Sequence, residues 1–279
     1  MIIDKLLPAN LFSGKTAFIT GGGSGINLGI AKNFAALGAN VTICSRNQGR
    51  LDAAALELRK LGAKVCTAAA DVRDNAAVAA ALAKSAEELG PADVVVSGAA
   101  GNFLCEAEKL SLNGFKTVVE IDLMGSFNVA RSAFDQLKQT RGVIIFISAG
   151  LSWLPYTLQV HAGAAKAGID NMMKNLALEW GIYGIRCNSI APGYIGETEG
   201  TSKLAGGPVL EAVLESTPLG RLGTVDDIGQ AAVFLASPLA SFITGTIAVV
   251  DGGHYLGGSS LLNSAQRKVA AATASGSTS

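Results

Sequence analysis

Short β-branched runs alternate with longer amphipathic, alanine-rich stretches along most of the chain. The runs are Thr16 to Thr20, Asn40 to Ser45, Lys64 to Ala69, Asp93 to Ser97, Val143 to Ser148, Ile185 to Ile190 and Thr246 to Val250. Helical stretches lie between them: Ile26 to Leu37, Arg50 to Leu61, Ala76 to Leu89, Leu112 to Gln139, Leu158 to Trp180 and Val225 to Ala236. Val143-Ile144-Ile145-Phe146-Ile147 has no polar face, as expected of a parallel strand covered by helices on both sides. Thr224, followed three residues later by Asp227, reads as a capping-box start to the last helix. Seven strands joined by helical crossovers predict an α/β fold: one doubly wound domain over residues 1–256, with a seven-stranded parallel sheet and helices on both faces. Pro192 to Pro218 reads as one long irregular segment, and a loop of that length suggests a lid over the sheet's C-terminal edge. From 257 to 279 the composition shifts to Ala, Ser, Thr and Gly, and at least the last part of this tail is expected to be disordered.

At 279 residues the chain is long enough to bury a large core without metals or disulfides. Lys plus Arg and Asp plus Glu both total 22, so the net charge is zero and no concentrated basic face for nucleic acid is expected. Cys44, Cys66, Cys105 and Cys187 are scattered, fitting reduced thiols, and His161 and His254 lack the spacing of a metal site. No apolar run approaches the ~18 residues of a membrane span. Neither the start, Met1 to Lys5, nor the end, Gly276 to Ser279, carries a leader or a Ser-Lys-Leu-type address. These features lead to the expectation of a soluble, cytoplasmic protein.

The 34 glycines concentrate attention on one place. After the first strand comes Thr20-Gly21-Gly22-Gly23-Ser24-Gly25-Ile26-Asn27-Leu28-Gly29, followed by a helix. Such a turn lets a helix N-terminus approach a diphosphate, so Gly21, Gly23, Ser24, Gly25 and Ile26 are candidate dinucleotide ligands in a Rossmann-type domain. Asn27 stands where a third close-packed glycine is common, with Gly29 two residues on. The second strand ends in Cys44-Ser45-Arg46. A carboxylate there would suit a free ribose 2′-hydroxyl; Ser45 and Arg46 suit a 2′-phosphate and point to NADP(H). The competing reading is a solvated surface arginine.

From about Leu11 to Gly253 the chain resembles the short-chain dehydrogenase/reductase family. The matching words are Thr20 to Gly25, Asp71-Val72, Ala99-Ala100-Gly101, Pro192-Gly193 and Asp251-Gly252-Gly253. The resemblance implies that Asp71 and Val72 contact adenine and that Ala99, Ala100 and Gly101 line the cofactor. It also implies that Lys166 holds the nicotinamide ribose and that Pro192, Gly193 and Ile195 face the nicotinamide. A homotetramer, paired through the helices matching 112–139 and 158–180, is implied as well. Ser97 and Gly98 stand where the family usually has Asn-Asn.

The catalytic positions depart from that family. Its Tyr-x-x-x-Lys motif puts both side chains on one helix face, but here Ala162 precedes Lys166. The family's serine falls on Ala149, beside Ser148, and its asparagine on Asp122. His161 is offset from Lys166 by about 140° around the helix and reads as a core or interface residue. Asp122 could instead be a helix cap or salt-bridge partner, and Tyr156 is either a rival acid or an aromatic lining residue.

This pattern resembles the 2,4-dienoyl-CoA reductases, above all the peroxisomal type. The shared words are Ala99 to Cys105, Phe115 to Val118, Ser126 to Val129, Leu158 to Gly163 and Gly196 to Gly200. That likeness implies NADPH-dependent reduction of an acyl-CoA-type dienoyl thioester to a 3-enoyl thioester. Asp122 and Lys166 would be the catalytic pair and would act through a water, with Asn102, Phe103 and Leu104 at the substrate mouth. The alternatives are another short-chain enoyl or ketoacyl reductase, or a non-catalytic NADP(H)-binding protein. No metal is expected.

Overall fold

A computed structural model of the chain describes residues 7–196, 198, 201 and 208–257. Seven strands form one parallel sheet: β1 (Thr16–Thr20), β2 (Asn40–Ser45), β3 (Val65–Ala69), β4 (Val94–Ser97), β5 (Val143–Ile147), β6 (Arg186–Pro192) and β7 (Ile247–Val250). Their order across the sheet is β3-β2-β1-β4-β5-β6-β7. The direction of winding reverses between β1 and β4, opening a crevice at the strands' C-terminal ends.

The helices are α1 (Gly25–Ala36), α2 (Gln48–Lys60), α3 (Asn75–Leu89), α4 (Leu112–Val119), α5 (Gly125–Thr140), α6 (Val160–Trp180), α7 (Pro208–Ser216) and α8 (Val225–Ala236). Consecutive strand residues enter opposite cores. Ile19, Ile43, Val96 and Ile145 join Phe34, Ile30 and Ile228 on one face. Phe18, Val95, Ile144 and Phe146 join Leu82, Leu137 and Met173 on the other. Two covered faces are why a strand such as β5 reads as an unbroken apolar run.

Two elements differ from the expectations. The single helix expected over Leu112 to Gln139 is interrupted by a π-helical turn at Glu120–Met124. Just after it Gly125 packs so closely on Val72 that a Cβ there would lie 2.6 Å from Val72 Cγ2. The stretch Pro192 to Pro218 is not wholly irregular, because Pro208–Ser216 forms α7. Leu210, Val213 and Leu214 give it an i, i+3, i+4 stripe with Val213 buried, a signal obscured by the flanking glycines and prolines. The remaining boundaries move by one or two residues. Most of the expected lid over Gly196 to Gly207, and all of the tail from 258 onward, lie outside the described residues.

Helix α8 starts as the sequence implies: Thr224 Oγ1 accepts from Asp227 N at 3.1 Å, and Asp227 Oδ2 accepts from Thr224 N at 2.7 Å. It lies tightly against α1. A Cβ at Gly29 would sit 2.6 Å from Val225 Cβ, and one at Gly229 would sit 2.7 Å from Asn33 Cγ. Asn33 Nδ2 donates to Gly29 O and Asp226 Oδ1, each at 2.9 Å. Gly29 therefore supplies the close helix packing, two residues beyond the usual third glycine. Among the described residues no helix is long and apolar enough to cross a membrane, and no cluster of His, Cys, Asp or Glu could hold a metal.

Candidate active site

The nucleotide turn leaves β1 and enters α1 at the crevice. Gly21 and Gly25 have φ of +71° and +55°, which side chains rarely adopt. The space beside Gly25 is open, since a Cβ there would meet nothing nearer than Thr198 Cγ2 at 4.0 Å. Ser24 is extended and its hydroxyl caps no amide, which leaves the helix's first N–H groups facing that cradle. The residues present fit a dinucleotide diphosphate.

Ser45 and Arg50 border the turn: a Cβ on Gly23 would lie 3.4 Å from both Ser45 Oγ and Arg50 Cβ. At the adjacent end of β3, Asp71 accepts from Arg73 Nη2 at 2.6 Å and Nε at 3.1 Å. That guanidinium holds the Asp71 carboxyl below its usual range, and the charge of Arg46 pulls the same way. Ser45, Arg46 and Asp71 thus lie together around the ends of β2 and β3, beside the glycine turn. The sequence reading missed Arg73, although its place two residues after Asp71 was a visible cue.

The turn after β4 forms the crevice's other wall. Thr20 Oγ1 accepts from Gly98 N at 3.0 Å and Ala99 N at 3.3 Å. Ser97, in place of the family's asparagine, donates to Ser126 Oγ at 3.1 Å. Gly101 N donates to Asp122 Oδ1 at 2.7 Å, and the other carboxylate oxygen pairs with Lys166 Nζ at 3.1 Å. Lys166 Nζ also donates to Ile147 O at 3.0 Å. Asp122 is 1% exposed and Lys166 8%. The π turn carries Asp122 inward, and α6 brings Lys166 to meet it. Ala162 is buried among Val118, Ala165, Leu123 and Leu151, so no hydroxyl stands at the tyrosine position.

Asp170, one turn beyond Lys166 on α6, was also missed. It is buried, and its Oδ2 accepts from Ser148 Oγ at 2.8 Å and Ser152 Oγ at 2.6 Å. The spacing of four from Lys166 marked it as sharing that helix face. It fastens the β5–α6 connection to the helix.

At the mouth, Asn102 Nδ2 donates to Gln159 Oε1 at 2.7 Å and Cys105 N to Leu158 O at 2.9 Å. The Phe103 ring stacks on His161 with centroids 4.4 Å apart. His161 is fully buried and neither ring nitrogen has a partner, which matches the core reading. The Tyr156 hydroxyl lies near Gly150, and burial, with Tyr194 and Asp251 nearby, pushes its pKa up to about 12. The phenol therefore keeps its proton near neutrality.

A cavity of about 500 Å³ opens past the ends of β6 and β7, bordered by Tyr194, Ile195, Leu219, Val250, Asp251 and Tyr255. Gly193 N donates to Val250 O at 3.0 Å, so the Pro192-Gly193 segment follows the sheet into that wall. Neither Asp122 nor Lys166 borders it. It adjoins the site without containing the charged pair.

Comparison with known proteins agrees with this geometry. A family profile described as Enoyl-(Acyl carrier protein) reductase matches residues 21–255. A peroxisomal 2,4-dienoyl-CoA reductase of Saccharomyces cerevisiae, (3E)-enoyl-CoA-producing, is 46% identical over 250 residues, covering 88% of this chain and 86% of the relative. A probable 2,4-dienoyl-CoA reductase of Bacillus subtilis, (2E)-enoyl-CoA-producing, is 40% identical, covering 87% and 97%. The crystal structure of a short-chain dehydrogenase from Bacillus anthracis superposes with a TM-score of 0.79 at 37% identity, covering 87% and 97%. The parallel sheet, the glycine turn, the lysine on α6 and these similarities together place the chain in the short-chain dehydrogenase/reductase family of oxidoreductases.

Proposed function

We propose that this protein reduces a 2,4-dienoyl-CoA-like thioester to a 3-enoyl thioester, using NADPH. The observation that carries the reading is the buried Asp122–Lys166 pair beside Ala162. A site without the phenol is poorly suited to protonating an alkoxide, whereas reduction of a conjugated alkene forms none.

When bound, NADPH supplies the hydride, which adds to the far carbon of the diene and sends the electron pair onto the thioester oxygen. The protein's task is then to hold that dienolate and deliver one proton to the carbon beside the carbonyl. Asp122 is ion-paired to Lys166 and accepts from Gly101 N–H, and in this reading a water polarised between Asp122 and Lys166 is the immediate donor. Lys166 would also hold the cofactor's ribose, and Ser45 with Arg46 its 2′-phosphate. Asn102, Phe103 and Tyr156 line the acyl path in this reading.

The relatives' names divide between (3E) and (2E) products, which corresponds to protonation at the carbon beside the carbonyl or two carbons further along. Loss of dienoyl absorbance in step with NADPH oxidation tests the activity, and proton NMR of the product decides the position. Activity on enoyl or ketoacyl thioesters alone, or on none, would overturn the proposal. A homotetramer is supported by exposed Leu112, Phe127, Leu178 and Ile182 on and just beyond α4, α5 and α6. Four free cysteines support a reducing, cytoplasmic setting.

A further inference from the structure

Asn27 lies in the first turn of α1, and its amide fills a slot between two glycines on different turns. Its Nδ2 donates to Gly98 O at 2.8 Å. A Cβ on Gly98 would lie 2.6 Å from Asn27 Cγ, and one on Gly21 would lie 2.7 Å from Nδ2. Asn27 Oδ1 is buried without a partner. An apolar residue chosen only to fill space would avoid that cost. The amide bridges the nucleotide turn and the turn after β4.

The braced turn leads directly to the charged pair. Gly98 and Ala99 are held from below by Thr20, and three residues after Gly98 the Gly101 amide binds Asp122, which binds Lys166. We propose that Asn27 is a positioning residue: it fixes the height of the Gly98–Gly101 turn and thereby orients the Asp122 carboxylate against Lys166. Asn27 and Gly98 are one device, since this amide leaves no room for a side chain at position 98. The catalytic part of this inference rests on the role assigned above to Asp122; the bracing part does not.

The test uses the full chain and three variants. Asn27→Gly removes the amide, Asn27→Asp keeps its shape without the donor, and the double variant Asn27→Gly/Gly98→Asn returns an amide to the slot from the opposite wall. Loss of one hydrogen bond of ordinary strength should accelerate amide exchange at Gly101 by about tenfold in both single variants, measured without ligand. Their kcat with a dienoyl-CoA should fall by about tenfold while NADPH affinity, read by fluorescence, changes less than ~3-fold. The double variant should recover most of both effects. Unchanged exchange at Gly101 in Asn27→Gly overturns the brace, whatever the activity. Faster exchange with unchanged kcat overturns the positioning role, provided Asp122→Asn is impaired. If Asp122→Asn is equally active, it is the catalytic reading of Asp122 that fails.

Discussion

The Asp122 carboxylate and the Lys166 ammonium meet at 3.1 Å although 44 residues separate them, and each is also tied to the backbone, Asp122 through Gly101 N and Lys166 through Ile147 O. The pair is therefore fixed before any ligand arrives. Asp122→Asn keeps an acceptor for Gly101 and removes the charge. Its kcat should fall by roughly 10²–10⁴-fold, the range of general acid–base groups, with NADPH affinity retained. Asp122→Ala should lose similar activity and more stability than Asp122→Asn, because it removes the acceptor for Gly101 as well as the counter-charge of the buried ammonium, at a cost of about 3–5 kcal/mol. Steady-state kinetics with chemical denaturation separates the two effects. Full activity in Asp122→Asn with none in Tyr156→Phe would move the donor role to the tyrosine.

Arg46 and Ser45 are expected to make the protein prefer NADPH. A charge-assisted contact to the 2′-phosphate corresponds to about 1.5–3 kcal/mol, or roughly ten- to a hundredfold in affinity. Arg46→Ala should remove that preference and leave NADH binding nearly unchanged. Fluorescence titration with both reduced cofactors measures this, and equal dissociation constants in the unaltered protein contradict it.

Acid should loosen the start of α8. The Arg221 guanidinium, bonded to Asp227 at 2.7 and 3.0 Å, together with the Thr224 cap, holds the Asp227 pKa down to about 2. A depressed carboxyl contributes stability that is complete above its unfolded value near 4 and is lost as pH falls toward 2. Asp227→Asn should lower stability at neutral pH by about 1 kcal/mol, the usual scale of a helix cap, and flatten the acid limb of the stability profile. Thermal unfolding from pH 7 to pH 2 provides the comparison.

His161→Phe preserves a ring against Phe103 while removing two nitrogens that find no partner. Unfolding free energy should hold or rise, by up to about 1–3 kcal/mol of relieved desolvation, with activity kept. A stable variant with activity lost by more than about tenfold would instead show that the imidazole meets the substrate.

The sheet was readable from the sequence because both strand faces are buried, so Val143 to Ile147 could hardly be anything else. The break at Glu120–Met124 was not, since it comes with Gly125 approaching Val72, a contact made in the fold and not a local preference. Asp122 and Lys166 could each be found by position, whereas their ion pair required the π turn. Asn27 and Gly98 were visible as two separate departures 71 residues apart; only their hydrogen bond shows them to be one.

The notches where Gly29 receives Val225 and Gly229 receives Asn33 have a mechanical consequence. They lock the helix that carries the nucleotide turn to its neighbour on the same face of the sheet, leaving little freedom for sliding between them. With the two helices locked in this way, α1 and α8 form one rigid anvil beneath the nucleotide turn. Filling either notch, as Gly29→Ala would, should slacken that anvil and cost commitment to turnover even though no residue that meets the ligands has changed.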